Sequence, residues 1–89
     1  MSEKLIIVNN IDIIKLFGTN NHKLNKIKTL FPNIRIIARG EEIKVLGSKN
    51  DINYFEQKVT SFIEYIKIHQ NITINQIERL IEGNEEEIL

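Results

Sequence analysis

The sequence contains no cysteine and no tryptophan, and it has one proline and four glycines among its 89 residues. Without cysteine there is no disulfide framework, no thiolate zinc site and no cysteine nucleophile, and a reducing cytosol is the expected compartment. With 42% hydrophobic and 27% charged residues, the chain is typical of a globular rather than a disordered protein. So short a chain suits a single domain with a thin core.

Long apolar runs are also missing. The run Leu5–Val8 is far too short to cross a bilayer. The N-terminus lacks the basic region and long apolar stretch of a secretion signal. We therefore expect a cytoplasmic protein without a membrane partner.

No catalytic motif occurs in the sequence. There is no phosphate-binding Walker A loop, no Gly-x-Ser-x-Gly elbow and no His-Glu-x-x-His pair. The paired acids Glu41 and Glu42 fall on a predicted turn, where a site would be hard to desolvate. His22 has no partner at metal-ligand spacing. The chain is expected to be neither an enzyme nor a metal protein.

Acidic residues are absent from residues 16–40, here called the acid-free segment. Its basic residues, with Lys15 at the edge, are Lys23, Lys26, Lys28, Arg35 and Arg39. The whole chain is formally neutral, so this sorting of charge along the sequence favours a surface that meets a polyanion. The alternative for the lysines, and for Lys28 above all, is an ordinary solvated helix face.

The first apolar segment and the residues after it predict a strand followed by a helix. A short, mostly β-branched run at residues 4–8 is typical of a buried strand. Asn9 or Asn10 then supplies an N-cap for a short helix, and Gly18 stands where a helix-terminating glycine is expected.

The middle of the chain predicts a second helix and a hairpin. Apolar residues recur at helical spacing over residues 21–31 until Pro32 prevents continuation. Residues 34–39 and 42–46 can each alternate between two faces, and a tight Gly40-Glu41 turn joins them. The segment is therefore predicted to form an antiparallel hairpin.

Two further helices are predicted in the last part of the chain. Asp51 can cap a long helix, and Thr73-Ile74-Asn75-Gln76 matches a capping box that opens a short helix ended by Gly83. Residues 84–89 form an acidic tail. The apolar stripe of the long helix is Ile52, Phe55, Val59, Phe62, Ile63 and Ile66.

The order of these elements predicts an α+β fold with two layers. A three-stranded sheet covered on one face by helices, in the order β-α-α-β-β-α, is the connectivity of a type I KH-like module, with a short C-terminal helix added. Residues 1–83 are assigned to this domain. Residues 84–89 are interpreted as the start of a linker.

A KH module clamps the backbone of single-stranded nucleic acid with a Gly-x-x-Gly loop between two helices. The corresponding loop here is Gly18-Thr19-Asn20-Asn21, in which Asn, the next-best residue for a left-handed backbone, replaces the second glycine. His22, Lys23 and Lys26 follow in the first turns of the second helix, where amide groups favour an anion. Helix capping alone also explains the loop.

The hairpin adds a second basic surface. Arg35 and Arg39 share one predicted face with Ile37, and Lys44 and Leu46 lie alongside. Such a face either contacts nucleic acid or only gives a two-layer domain a soluble outer side. Among the aromatic residues, Tyr54 and Tyr65 are expected on the surface, whereas all four phenylalanines fall in core stripes.

Several of these motifs occur together in one known family. Leu16-Phe17-Gly18 with a nearby asparagine precedes an amphipathic helix, and the hairpin Ile37-Ala38-Arg39-Gly40-Glu41-Glu42-Ile43-Lys44 closes at Gly47. Ile72-Thr73 precedes the last helix. Over residues 5–81 this pattern resembles the N-terminal domain of PhoH-like proteins.

The resemblance implies a bacterial, cytoplasmic protein in which this chain precedes a P-loop ATPase domain linked with phosphate starvation and RNA metabolism. ATP and Mg²⁺ would then belong to the following domain, and no cofactor or catalytic residue is implied in this chain. The implied partners are single-stranded RNA and the downstream ATPase domain, with a homo-oligomer also considered.

Two functions therefore remain open. The first is a nucleic-acid-binding module in which the loop and the basic residues hold single-stranded RNA. The second is an interaction module that docks on the ATPase domain or mediates oligomerisation. The residues expected to contact nucleic acid are Gly18, Thr19, Asn20, Asn21, His22, Lys23, Lys26, Arg35, Arg39 and Lys44.

Overall fold

The structure is a computed structural model that describes residues 1–82 of the chain. The elements in chain order are β1 (Ser2–Ile7), α1 (Ile13–Phe17), a 3-10 turn (Thr19–Asn21), α2 (His22–Leu30), β2 (Arg35–Arg39), β3 (Glu42–Gly47), α3 (Lys49–His69) and α4 (Ile74–Ile81). This is the predicted α+β architecture, with the type I KH-like order β-α-α-β-β-α followed by one more helix.

The three strands form one antiparallel sheet in the spatial order β1-β3-β2. Arg39 pairs with Glu42, so the two-residue turn Gly40-Glu41 sets the register of the hairpin. Gly40 has a φ of +57°, a left-handed conformation that glycine adopts without strain. The predicted hairpin is confirmed within one residue at each end.

The sheet has one covered face and one open face. Ile36, Ile43 and Val45 point to the helices and are buried. They join a core to which all four helices contribute, α3 most of all. The open face carries the predicted row of Arg35, Ile37 and Arg39 on β2, beside Lys44 and Leu46 of β3.

The prediction of a buried first strand at residues 4–8 is wrong in two respects. The strand β1 spans Ser2–Ile7, and Val8, which is fully buried, lies just beyond it. Leu5 and Ile7 are 51% and 58% exposed because they point to the open face at the edge of the sheet. A continuous apolar run therefore marks an edge strand here rather than a central one.

The first helix begins later than predicted. Asp12, not Asn9 or Asn10, is the N-cap, and its carboxylate accepts a hydrogen bond of 3.2 Å from the Ile14 amide. Gly18 ends α1 as predicted, with its N–H donating to the Ile14 carbonyl over 2.7 Å. The predicted second helix is confirmed as α2.

The long helix α3 is confirmed, but Ser48 rather than Asp51 is its N-cap. The Ser48 hydroxyl accepts from the Asp51 amide at 3.1 Å, which places Asp51 inside the first turn, where its charge favours the helix dipole. Tyr65, expected on the surface, is only 5% exposed and belongs to the core. The buried residues of α3 are Ile52, Phe55, Lys58, Val59, Phe62, Tyr65 and Ile66.

The last helix has the predicted capping box. Thr73 accepts from the Gln76 amide at 3.2 Å, and the Gln76 side chain accepts from the Thr73 amide at 2.8 Å. The C-terminal carbonyl groups of α4 accept hydrogen bonds from side chains of α3, Lys58 Nζ to Leu80 (2.8 Å) and Tyr54 Oη to Ile81 (3.1 Å).

The predicted helix end at Gly83 and the acidic tail lie outside the described residues. Within residues 1–82, no helix is both long enough and apolar enough to cross a membrane.

Candidate nucleic-acid interface

A groove of about 310 Å³ lies between the helices and the free edge of β2. One wall comes from α1, the 3-10 turn and the start of α2, and the other from the end of β2 and the hairpin turn. The groove is lined by Ile13, Ile14, Phe17, Gly18, Asn21, Leu24, Ala38 and Gly40. None of these residues is charged, so the groove offers a largely apolar surface of the kind on which the flat face of a nucleobase rests.

Two apolar residues define the shape of this groove. Ile14 is 54% exposed although it belongs to the short helix α1, so its side chain offers contact area that the core does not use. Ala38 is the smallest residue of the inward-facing row on β2, and it leaves space where Ile36 fills the core. Together they keep the groove open at the end of the sheet nearest the hairpin turn.

The loop Gly18–Asn21 has an unusual backbone. Gly18 has φ/ψ of 78°/168°, and Asn20 and Asn21 both lie in the left-handed region, with φ of 56° and 59°. Asparagine tolerates this region better than most residues, which explains why the loop turns tightly without a second glycine. Thr19 and Asn20 lie exposed at its tip.

The start of α2 is left without a side-chain cap. Asn21 occupies the N-cap position but makes no side-chain hydrogen bond to the helix. The first amide groups of a helix point along its axis and carry partial positive charge. The Asn21 and His22 amides already donate to the Gly18 and Thr19 carbonyl groups. What the loop places at one end of the groove is therefore the positive end of the α2 dipole, which favours a phosphate.

His22 folds back onto the loop. Its ring Nδ1 donates to the Thr19 carbonyl over 2.9 Å. The ring also lies against Gly18, since a Cβ at position 18 would be 2.5 Å from His22 Cε1. The observed role of His22 is thus to brace the turn.

Lys23 is held by groups of the protein itself. Its Nζ donates to the Lys15 carbonyl at 3.1 Å and to Asn71 Oδ1 at 3.2 Å. Burial lowers the pKa of the Lys23 ammonium below its ordinary value. Lys23 therefore satisfies a carbonyl group near the end of α1 and links it to the connection between α3 and α4.

Lys26 also points toward α4, where it forms an ion pair. Its Nζ lies 3.6 Å from Glu78 Oε2 on α4, and both side chains are partly exposed. An ion pair this open is weak, because water screens it. Lys26 can exchange this contact for another anion at little cost, whereas Lys23 would have to give up two hydrogen bonds.

The free edge of β2 adds backbone groups to the groove. The Val8 amide donates to the Glu41 carbonyl over 2.8 Å. This bond identifies which residues of β3 turn their backbone groups toward β1 and which turn them toward β2. Because antiparallel pairs alternate, Ile37 and Arg39 bond to β3, and the N–H and C=O of Ile36 and Ala38 point to the free edge. These backbone groups can form hydrogen bonds with the edge of a nucleobase.

Three of the predicted contact residues lie elsewhere. Arg35, Arg39 and Lys44 extend from the open face of the sheet, with Ile37 opposite Lys44 in the pairing of β2 with β3. Arg39 and Lys44 line a second depression of about 290 Å³ on that face. Lys44 Nζ also lies 3.4 Å from Glu3 Oε2.

The structure thus divides the predicted site residues into three groups. Gly18 to Asn21 form one wall of the groove and its rim. His22, Lys23 and Lys26 support that wall or face α4, and Arg35, Arg39 and Lys44 lie on the opposite side of the sheet. The acid-free segment therefore does not form one continuous basic surface.

Comparisons of this chain with protein-family models, with curated proteins and with solved structures give no match.

The sequence interpretation missed the apolar part of the groove. Ile14 and Ala38 read as core residues because their spacing fits the helix and strand periods. One usable signal was present: Ala38 is a small residue in a row otherwise made of isoleucine, directly before the glycine turn. The free backbone edge of β2 could be assigned only once the strand order was known.

Proposed function

We propose that this chain is a non-catalytic, KH-like module that binds single-stranded RNA in the groove between α1, α2 and the edge of β2. One observation carries the proposal. The tight left-handed turn at Gly18–Asn21, the uncapped start of α2, the apolar floor and the free edge of β2 all border the same groove.

In this proposal the loop holds the phosphate backbone. The exposed tip of the turn, Thr19 and Asn20, contacts phosphate oxygens, and the positive end of the α2 helix dipole favours their charge. Lys26 supplies charge nearby after leaving Glu78. Lys23 keeps the loop in place through its bonds to Lys15 and Asn71.

The floor and the strand edge hold the bases. Exposed Ile14 and the half-buried Ile13 and Ala38 provide apolar contact. The backbone of Ile36 and Ala38 offers donors and acceptors to the edge of one base. With few direct cationic contacts, we expect micromolar or weaker affinity. The dependence on salt should be weak, because the proposal assigns only Lys26 to a phosphate and each phosphate neutralised by a lysine or arginine gives a slope of log K against log salt of about −0.7.

The resemblance to PhoH-like N-terminal domains belongs to this proposal. On that view the RNA-binding groove works beside a P-loop ATPase domain of the same cytoplasmic protein, and ATP and Mg²⁺ bind only there.

A charge substitution in the loop tests the proposal. Asn20→Asp keeps the size of the side chain and tolerates the left-handed backbone, but it places a carboxylate at the rim of the groove. Asn53→Asp, on an exposed turn of α3, changes the net charge equally and serves as the control. In a fluorescence-anisotropy titration with an eight-nucleotide RNA, Asn20→Asp should weaken binding several-fold and Asn53→Asp should leave it unchanged. Equal effects would contradict the groove as the site.

The second candidate is an interaction module that uses the open face of the sheet to contact the ATPase domain or a neighbouring subunit. It is favoured by Arg35 and Arg39, for which residues 1–82 supply no carboxylate within ion-pair distance. The double variant Arg35→Gln, Arg39→Gln distinguishes the two candidates. It should leave most RNA binding intact if the groove is the site, and it should abolish association with a protein partner if the open face is used.

A further inference from the structure

The outer edge of β1 has no partner within the described residues. β1 pairs with β3 on one side only. The Val8 amide bonds to Glu41, so the hydrogen-bonding groups of Ile6 and Lys4 also point to β3. By alternation, the N–H and C=O groups of Leu5 and Ile7 point outward from the sheet.

This edge also carries exposed apolar side chains. Leu5 and Ile7 are both more than half exposed, and they are neighbours on the open face. Lys4, the one cation of the strand, points to the helical face and pairs with Glu56 at 2.8 Å. Natural edge strands are usually protected from pairing by proline, bulges or charged side chains. On the open face of β1, Glu3 is the one residue that gives this protection.

We propose that β1 pairs with β1 of a second copy of this chain, in antiparallel orientation about a two-fold axis at Ile6. In this register Leu5 of each copy lies opposite Ile7 of the other, and their free backbone groups bond to each other. Lys4 lies opposite Val8 and Glu3 opposite Asn9, so no like charges lie opposite each other along the paired strands. An axis at Lys4 would instead place two ammonium groups opposite each other.

The helical layer is compatible with this arrangement. The helix α3 packs over β1 and β3. Since neighbouring strands lie about 4.8 Å apart, the α3 helices of two copies would lie about 10 Å apart across the axis, which is a normal helix-packing distance. A groove of about 350 Å³ between β1 and α3, which includes half-buried Ile63, would be closed by the second copy.

The proposed dimer leaves the candidate RNA groove free. Each β2 edge lies at an outer end of a six-stranded sheet, about 24 Å from the other across five strand spacings. The dimer is therefore independent of the proposed function, and either can fail without the other.

Sedimentation velocity on the full chain over a hundredfold range of concentration tests the proposal. The wild-type chain should form a concentration-dependent dimer, and Ile7→Lys should shift it to monomer. Ile37→Lys is the matched control, since it adds the same charge to the same open face but on the far strand β2. It should leave the dimer intact. Far-ultraviolet circular dichroism confirms that both variants are folded.

Three results would overturn the proposal. They are a wild-type monomer at every concentration, a dimer that survives Ile7→Lys, and a dimer lost with Ile37→Lys, which would indicate stacking of open faces.

The register of the two β1 strands has its own test, because the chain has no cysteine that could interfere with cross-linking. Ile6→Cys lies on the axis in a close, non-hydrogen-bonded pair and should cross-link under mild oxidation, whereas Lys4→Cys should not. If Ile6→Cys fails to cross-link, the proposed register is wrong.

Discussion

The imidazole ring of His22 lies against the backbone of Gly18. A Cβ added at Gly18 would come within 2.5 Å of His22 Cε1, and the ring is held there by its hydrogen bond to the Thr19 carbonyl. Gly18 also has φ/ψ of 78°/168°, a region that is essentially open to glycine alone. Both the space and the backbone therefore require glycine at the first position of the loop.

This relationship predicts unequal costs for two glycine substitutions. Gly40 also has a positive φ, but a Cβ there would meet nothing within 4 Å. Gly40→Ala should lower the free energy of unfolding by about 1 kcal/mol, the cost of a left-handed alanine. Gly18→Ala should cost roughly 1–3 kcal/mol more, because the φ/ψ of Gly18 lies in a region essentially limited to glycine and the exposed His22 ring must also move away. Urea unfolding measures both, and equal costs would contradict this account of Gly18.

The exposed Ile14 should contribute to binding but not to stability. Ile14→Ser removes an apolar surface in the groove, and serine and isoleucine have similar helix propensities, so the free energy of unfolding should change by less than about 0.5 kcal/mol. RNA affinity should fall by about 1 kcal/mol, roughly fivefold. Ile68→Ser, at a 63% exposed position on α3, is the control and should leave affinity unchanged. Loss of affinity in both variants would argue against the groove.

The lowered pKa of Lys23 predicts a pH dependence of stability. Between the folded-state pKa and the ordinary value of 10.5, the unfolded chain holds more protons at this residue than the folded chain does. Stability conferred by this residue therefore rises with pH in that window and is constant below it. The difference in unfolding free energy between the wild-type chain and Lys23→Gln should increase as pH approaches 10.5. Lys28→Gln on the same helix is the matched control, and a flat or falling difference would contradict the burial of Lys23.

The capping box of α4 gives a prediction on stability alone. Thr73→Ala removes the acceptor of the Gln76 amide and should destabilise the chain by about 1 kcal/mol. Thr60→Ala is the control, because Thr60 is exposed within α3 and bonds only to the Glu56 carbonyl. That change should be neutral or slightly stabilising, since alanine is the better helix former. Thermal unfolding of both variants measures the difference.

Local patterns predicted much of the fold. The alternation of residues 34–39, the two-residue turn and the stripe of α3 each depend on the period of one element, and each is confirmed. The capping box is confirmed for the same reason, since Thr73 and Gln76 lie three residues apart and bond to each other directly.

Positions that depend on distant parts of the chain were not predictable. Lys23 bonds to Asn71 and Lys26 pairs with Glu78, and these partners lie about fifty residues away in sequence. The exposure of Leu5 and Ile7 depends on β1 being an edge strand, which the run itself does not reveal. The local sequence also does not decide which of Asn9, Asn10 and Asp12 caps α1, because all three side chains can accept a hydrogen bond from a helix amide.

The most direct test of the proposed function is a titration of the ¹⁵N-labelled chain with a mixed-sequence RNA of about eight nucleotides, longer than the four that a KH groove holds. Amide shifts should occur at Gly18–Lys26 and at the end of β2 near Ala38 and Gly40, and they should weaken as salt is raised. An unchanged spectrum at low salt, or shifts confined to the open face around Arg35 and Lys44, would contradict the groove as an RNA-binding site.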